Sequence, residues 1–349
     1  MRGAAGQSVN GDDRAGSGRY ATSHLKSWPL LIALLVAGSA GGVVLVVQLS
    51  NAMGWGGIAQ KYRNSPRIAL SPPRQPQDSA PARVRPPPQP PVRFVVAPVI
   101  SPEEALYPYR ALTDYLSQAL ERRTTLIPKG SHAEVSSMLR HSECEIALVS
   151  TYAYVEGHKD FGLQAIAMPV AEGKTDQYAY LVTPRGTPAK SLLDLRGKRF
   201  VSADVLSSTG WLYPIHWLLQ RGEDHRHFFS EHLIAGSHDA ALEALTNGTA
   251  DGASVDSFVY HQMLTKKPST AQRVRVISKS PPLGMPPIVV HPRLDPALKA
   301  RITSALLTAH QHPAGRKALW RLGYDRFVRP IPGRYDSVRQ MARAVENHR

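Results

Sequence analysis

From Arg93 onward, short apolar runs suited to buried strands alternate with longer runs at helical spacing. A chain built that way folds into open α/β sheets with helices on both faces. Arg93-Phe94-Val95-Val96-Ala97-Pro98 reads as the first strand. Ser101-Pro102-Glu103-Glu104 then reads as a capping box with proline at the first helical position. Leu106, Leu112, Tyr115, Leu116 and Leu120 follow at helical spacing. Further strands are expected at 124–128, 145–149, 163–168, 178–183, 199–201, 233–234, 252–255 and 274–277, with helices at 132–141, 211–219, 239–246, 257–264 and 296–309. The expected sheets are largely parallel. About 250 residues in this pattern suit two lobes better than one core, with residues 93–183 and 281–349 in lobe 1 and residues 184–280 in lobe 2. No internal repeat is evident.

The segment before Arg93 has a different character. Residues 1–27 are rich in Gly, Ser and Arg and are expected to be a disordered cytoplasmic tail. Trp28 to Val47 carry no charge, long enough to cross roughly 30 Å of hydrocarbon, so residues 28–49 read as a transmembrane signal anchor. Arg14, Arg19 and Lys26 precede that run, which places the N-terminus inside and the rest of the chain outside. Ser50-Asn51-Ala52 also has the small-x-small form of a cleavage site, the competing reading as a signal peptide. Residues 65–92 hold 10 of the 29 prolines, so 50–92 reads as an extended Pro-rich linker.

The formal net charge is +15, which favours anionic partners. No basic stripe interleaved with aromatics or zinc-finger pattern accompanies it, and nucleic acid is not an expected partner. Cys144 is the single cysteine, so no intrachain disulfide is possible, and its apolar run marks it as a buried thiol. There is no Gly-x-Ser-x-Gly elbow, phosphate loop or His-Glu-x-x-His, and an enzyme is not expected. Asp224-His225-Arg226-His227 reads as a solvated loop, with no metal or cofactor expected.

Three strand-to-helix turns carry the functional argument. In Leu206-Ser207-Ser208-Thr209-Gly210-Trp211, hydroxyls gather where a helix's first N–H groups lack intrahelical acceptors, an anion site that needs no Lys or Arg. An ordinary Ser/Thr cap is the plainer reading, and Pro214 would distort a helix begun at Thr209. In Gly236-Ser237-His238-Asp239, His238 can donate to an anionic oxygen or simply begin a helix. Asp256, in Ala253-Ser254-Val255-Asp256, falls at a strand's C-terminal end, where open α/β sheets place ligands.

Taken in order, Asp194-Leu195-Arg196-Gly197-Lys198, Ser207-Ser208-Thr209-Gly210, Gly236-Ser237-His238-Asp239-Ala240-Ala241, Asn247-Gly248 with Asp251, and Ser280-Pro281-Pro282 make residues 93–330 resemble the phosphonate-binding (PhnD-type) periplasmic proteins of ABC importers. The resemblance implies a two-lobed periplasmic-binding-protein (Venus flytrap) fold and a cleft that binds a phosphonate, phosphite or phosphate. It implies that Ser207, Ser208 and Thr209 cradle the anion, that His238 binds another oxygen, and that Tyr178 and Tyr152 line the cleft. An ABC permease is the implied partner, with a membrane-tethered sensory module as the alternative. Where aminoalkylphosphonate binders of the family carry two carboxylates, this chain has Phe258 and Pro286. An ammonium buried there would be unpaired, which disfavours aminoethylphosphonate. Asp256, where it reaches the cleft, would accept from a protonated ligand oxygen and so reject sulfate.

Overall fold

The computed structural model describes residues 89–348. The expected cytoplasmic tail and transmembrane anchor lie outside these residues, as does the linker up to residue 88. Among the described residues no helix is long and apolar enough to cross a membrane.

The chain opens with β1 (Val92–Val96), α1 (Pro102–Ala119), β2 (Thr124–Pro128), α2 (His132–Arg140), β3 (Ile146–Leu148), α3 (Thr151–Phe161) and β4 (Gln164–Val170). It crosses through β5 (Asp176–Gln177) into β6 (Ala179–Pro184) and β7 (Arg199–Ser202), then a π turn (Ser208–Leu212), α4 (Tyr213–Leu219) and α5 (His225–Phe228). Next come β8 (Glu231–Ile234), α6 (His238–Thr246), β9 (Gly252–Asp256), α7 (Ser257–Lys266), α8 (Pro268–Arg273) and β10 (Val274–Lys279). The return runs through β11 (Leu283–Gly284) to β12 (Ile288–Val290), α9 (Pro296–Thr308), α10 (Pro313–Leu322), β13 (Arg326–Val328) and α11 (Asp336–Glu346).

Two sheets result, ordered β2-β1-β3-β12-β4-β13 and β8-β7-β9-β6-β10. Their inner strands are buried on both faces, as helices on either side require: Phe94, Val95, Ile146 and Ala147 in the first sheet, Val201, Ala253 and Val255 in the second. The expectation of largely parallel sheets needs correction. In each sheet the first two pairings are parallel and the rest antiparallel. Strand four of each sheet, β12 or β6, arrives by a short crossing without a helix, and a parallel pairing needs a long crossover.

Position for position, β2-β1-β3-β12-β4 matches β8-β7-β9-β6-β10, so the halves are topological copies of one another. All pairings of β6 are to β9 and β10, so the chain enters the second sheet before Ala179, whereas the boundary expected after residue 183 falls inside that strand. The two crossings lie side by side as the antiparallel ribbon β5–β11.

Two local expectations also change. Ser101 makes no side-chain cap; its N–H donates instead to Asp239 Oδ1 of the other half, at 2.9 Å. The segment from Pro330, with Arg334, Arg339 and Arg343, reads from sequence as a solvated or docking surface, but it ends in α11, whose Val338, Met341, Ala342 and Val345 are buried. This helix lies across both halves, touching α3 of the first and both α4 and the π turn of the second.

Candidate ligand-binding site

The loop after β7 is built by competition between capping and helix. Ser207 Oγ accepts from the Gly210 N–H at 2.9 Å, which starts the turn. Pro214 has no N–H to offer the Gly210 carbonyl, so an α-helical ladder cannot run through this point. The turn widens instead: the Leu212 N–H bonds to the Ser207 carbonyl at 3.0 Å, and the Tyr213 N–H bonds to the Ser208 carbonyl. The helix expected at 211–219 is therefore a π turn followed by α4, a distortion that often accompanies functional sites. Ser208 and Thr209 open the turn, where N–H groups have no acceptor within it. A Cβ at Gly210 would lie 3.0 Å from Ser207 Oγ and 3.1 Å from both the Ala203 N and His238 Cε1, so any side chain here would crowd the site.

His238 faces that loop from the start of α6. Its Nδ1 accepts from the Asp256 N–H at 3.2 Å, which assigns the neutral ring's proton to Nε2. Nε2 lies 3.3 Å from Ser207 Oγ and 3.4 Å from Thr209 Oγ1. Burial pushes the imidazole down to about 3, assisted by the nearby His132. His238 is therefore a neutral donor aimed at the hydroxyls. Asp256 Oδ1 accepts from the N–H groups of Phe258 (2.8 Å) and Val259 (3.3 Å), capping α7. Burial raises its acid to about 6, even though those amides and the Thr209 hydroxyl bond to it. Ser254 Oγ completes the support, donating to the Thr209 carbonyl at 2.5 Å.

Five of the seven residues singled out in the sequence thus form one buried cluster: Ser207, Ser208, Thr209, His238 and Asp256. Tyr152 joins it from the first half, its ring parallel to that of Trp211 with centroids 6.4 Å apart. Tyr178 is placed differently. Its amide donates to Ser257 Oγ at 2.9 Å, next to Asp256, but its ring lies 5.1 Å from Lys279 Nζ. Phe258 packs at a tilt against Tyr324 of the first half, 5.4 Å between centroids, and Pro286 is buried.

Sequence reasoning missed the partners that close the halves over this loop. Asp204 accepts from the His132 N–H at 3.1 Å, the His238 N–H donates to the Val99 carbonyl at 3.3 Å, and Ser150 Oγ donates to the Leu206 carbonyl. The sequence holds one signal for them: Ser131 and Ser150 each precede a helix as Ser237 does. Away from the site, burial pushes the Cys144 thiol up to about 12, consistent with a structural role. His227 pairs with Asp224 at an exposed turn, and among the described residues no cluster of metal-ligating side chains occurs.

These shifts predict acid sensitivity. His238 falls from 6.5 to about 3, so between those values the unfolded chain holds a proton that the folded chain does not. Its contribution is complete above pH 6.5 and declines on acidification by up to about 1.4 kcal/mol per pH unit. Asp256, raised from 3.8 to about 6, opposes this by taking a proton in the folded state first. Urea denaturation of His238→Gln from pH 7 to 4 should therefore give a flatter acid limb than the parent. An unchanged limb would place the titration elsewhere.

Two α/β halves joined by two short crossings, with helix N-termini and a neutral histidine converging between them, define a binding protein of the periplasmic type. Residues 94–335 match the family described as ABC transporter, phosphonate, periplasmic substrate-binding protein. The chain belongs to that family. It is 25% identical over 216 residues to the phosphonates-binding periplasmic protein of Escherichia coli, a match covering 60% of this chain and 64% of the relative. A binding-protein component of an ABC phosphonate transporter from Pseudomonas aeruginosa has the same fold, with TM-score 0.70, 20% identity, and coverage of 74% of this chain and 87% of that one. PhnD1 of Prochlorococcus marinus, in complex with methylphosphonate, gives TM-score 0.67 at 17% identity over 73% of this chain and 98% of its own.

Proposed function

We propose that this chain is the extracytoplasmic substrate-binding component of an ABC-type importer and holds a small phosphorus oxyanion between its halves. One observation carries the reading. The hydroxyls of Ser207 and Thr209 meet a neutral His238 donor at a buried helix start that Ser208 shares, and none of their hydrogen-bond partners is Lys or Arg. Preorganised neutral donors at a helix start suit a tetrahedral anion. The methylphosphonate complex of the Prochlorococcus protein supports this choice of ligand class.

In this reading Asp256 acts through Thr209, taking the hydroxyl proton so that Oγ1 is fixed toward Nε2 of His238. Tyr152 covers the loop from lobe 1, Tyr178 flanks the cleft, and ligand bridging both lobes favours the closed state that a permease recognises. Residues 28–49 would tether the protein to the membrane and 50–92 would act as spacer. Nothing in the fold or among the relatives supports the sensory alternative.

Phe258 and Pro286, where an ammonium would need carboxylates, favour phosphite, phosphate or methylphosphonate over aminoethylphosphonate. Thermal unfolding of the full-length chain in mild detergent tests this. Phosphite or methylphosphonate at about 100 times its Kd should add about 2.7 kcal/mol, raising Tm by about 5–10 °C. Aminoethylphosphonate, sulfate and an amino acid should leave Tm in place. A shift with the amino acid and none with any phosphorus compound would overturn the assignment.

A further inference from the structure

Gly-Ser-His occurs twice, at Gly130-Ser131-His132 and at Gly236-Ser237-His238. Both copies join an edge strand to a helix, β2 to α2 and β8 to α6, at equivalent places in the two topological copies. In each, the serine caps the helix: Ser131 Oγ accepts from the Glu134 N–H at 3.2 Å and Ser237 Oγ from the Ala240 N–H at 3.4 Å. In each, the histidine begins the helix and is buried, with 1% exposure for His132 and 3% for His238. His132 is the first half's counterpart of His238, and near enough to act on it electrostatically.

Unlike His238, His132 makes no well-formed hydrogen bond at either ring nitrogen, and only Nδ1 has a polar group near it, the Asp204 carboxyl. Its Nδ1 lies 3.4 Å from Asp204 Oδ2, an ion-pair distance outside hydrogen-bond geometry. A buried imidazole nitrogen without a partner is uncommon in a folded protein, because leaving it unsatisfied is costly. His132 sits beside the hydroxyl loop, its backbone N–H bonded to Asp204 and its ring close enough to His238 to act on it.

We propose that His132 Nε2 is the first half's contact to the ligand, accepting a hydrogen bond from a protonated phosphorus oxygen. Asp204 supplies the reason for the acceptor role. Burial works against its charge, but the His132 ring and the N–H groups of Leu206 and His132 hold the carboxyl below its ordinary value. In the neutral ring, an ionised carboxylate beside Nδ1 favours the tautomer with the proton there, which leaves Nε2 with its lone pair. His238 is wired the opposite way, with Nδ1 accepting the Asp256 N–H and Nε2 donating. The other ionisable groups around the pair are Asp239, bonded to the Ser101 N–H, and Asp256.

One donor and one acceptor on opposed histidines read an oxyanion that carries a single proton. A methylphosphonate monoanion presents P–OH to His132 and P–O⁻ to His238. Methanesulfonate has the same shape and no proton, so its oxygen lone pair would meet the lone pair of Nε2. A site built to take a hydrogen bond strongly rejects the analogue that lacks it.

This inference rests on the proposed binding function, and the two can fail separately. Titration calorimetry of the full-length chain in mild detergent would use methylphosphonate and methanesulfonate as probes. The parent should prefer methylphosphonate by about 100-fold or more. H132F should weaken methylphosphonate at least tenfold and methanesulfonate less than twofold, while H132Q, whose Oε1 accepts, recovers part of the preference. Equal weakening of both probes, no weakening, or a parent that binds both alike overturns the role of His132. A parent that binds no phosphorus oxyanion overturns the binding function itself. Should H132F not fold, the selectivity ratio of H132Q and H132N decides: a ratio equal to that of the parent in H132N refutes the proposal.

Discussion

His238→Phe is expected to weaken binding of phosphite or methylphosphonate by about 100-fold or more, the largest single loss at the site. Two interactions disappear together. The Nε2–H now directed at Ser207 Oγ and Thr209 Oγ1 is the neutral donor available to an anionic oxygen. The Nδ1 lone pair that takes the Asp256 N–H goes as well, leaving a buried amide without an acceptor. A hydrogen bond to a charged group contributes about 1.5–3 kcal/mol, and an orphaned buried donor costs about 1–3 kcal/mol. At 1.4 kcal/mol per tenfold, about 2.7 kcal/mol lost from binding accounts for the stated factor. His238→Gln keeps a donor and an acceptor and should recover part of it. Calorimetric titration reads both; a His238→Phe protein that binds within threefold of the parent would remove His238 from the site.

Val338→Asp should lower stability by about 3–4 kcal/mol, a Tm decrease of about 6–12 °C or more. Val338 is fully buried on the inner face of α11, so the new carboxylate would be desolvated without a partner. Arg343→Ala, on the exposed face of the same helix, should change stability by less than about 0.5 kcal/mol. The pair separates a packed helix from a solvated tail. Equal, small effects of both in a thermal melt would return α11 to the surface role first expected of it.

Much of the fold was legible because strands and helices announce themselves locally. Val92–Val96, Gly252–Asp256 and the helices beginning at Pro296 and Ser257 fall within a residue or two of their expected starts. Strand direction was not legible, since it depends on which segment crosses between halves, a long-range choice that β6 and β12 do not encode. Pro214 signalled trouble in the helix after Thr209, yet only the folded loop shows the outcome as a π turn. For the site, the hydroxyl loop and His238 could be read from strand-to-helix turns. His132 could not, because Ser131-His132 looks like any capped helix start until its twin at Ser237-His238 is found nearby in the other half. The apolar spacing of Val338, Met341, Ala342 and Val345 is present in the sequence, but Arg334, Arg339 and Arg343 interleave with it and give the segment the composition of a solvated surface.

The ribbon β5–β11 carries both chain crossings, and Arg334 Nη1 ties it to the C-terminal segment through Asp176 Oδ1 at 2.6 Å. Two antiparallel strands side by side bend more easily than they shear, so the ribbon is the natural hinge axis between the halves. Because α11 straddles that axis, prying the jaws apart would strip its apolar face from one jaw or the other. The firmness of that grip would then depend on a helix that packs on α3 and on the π turn at once.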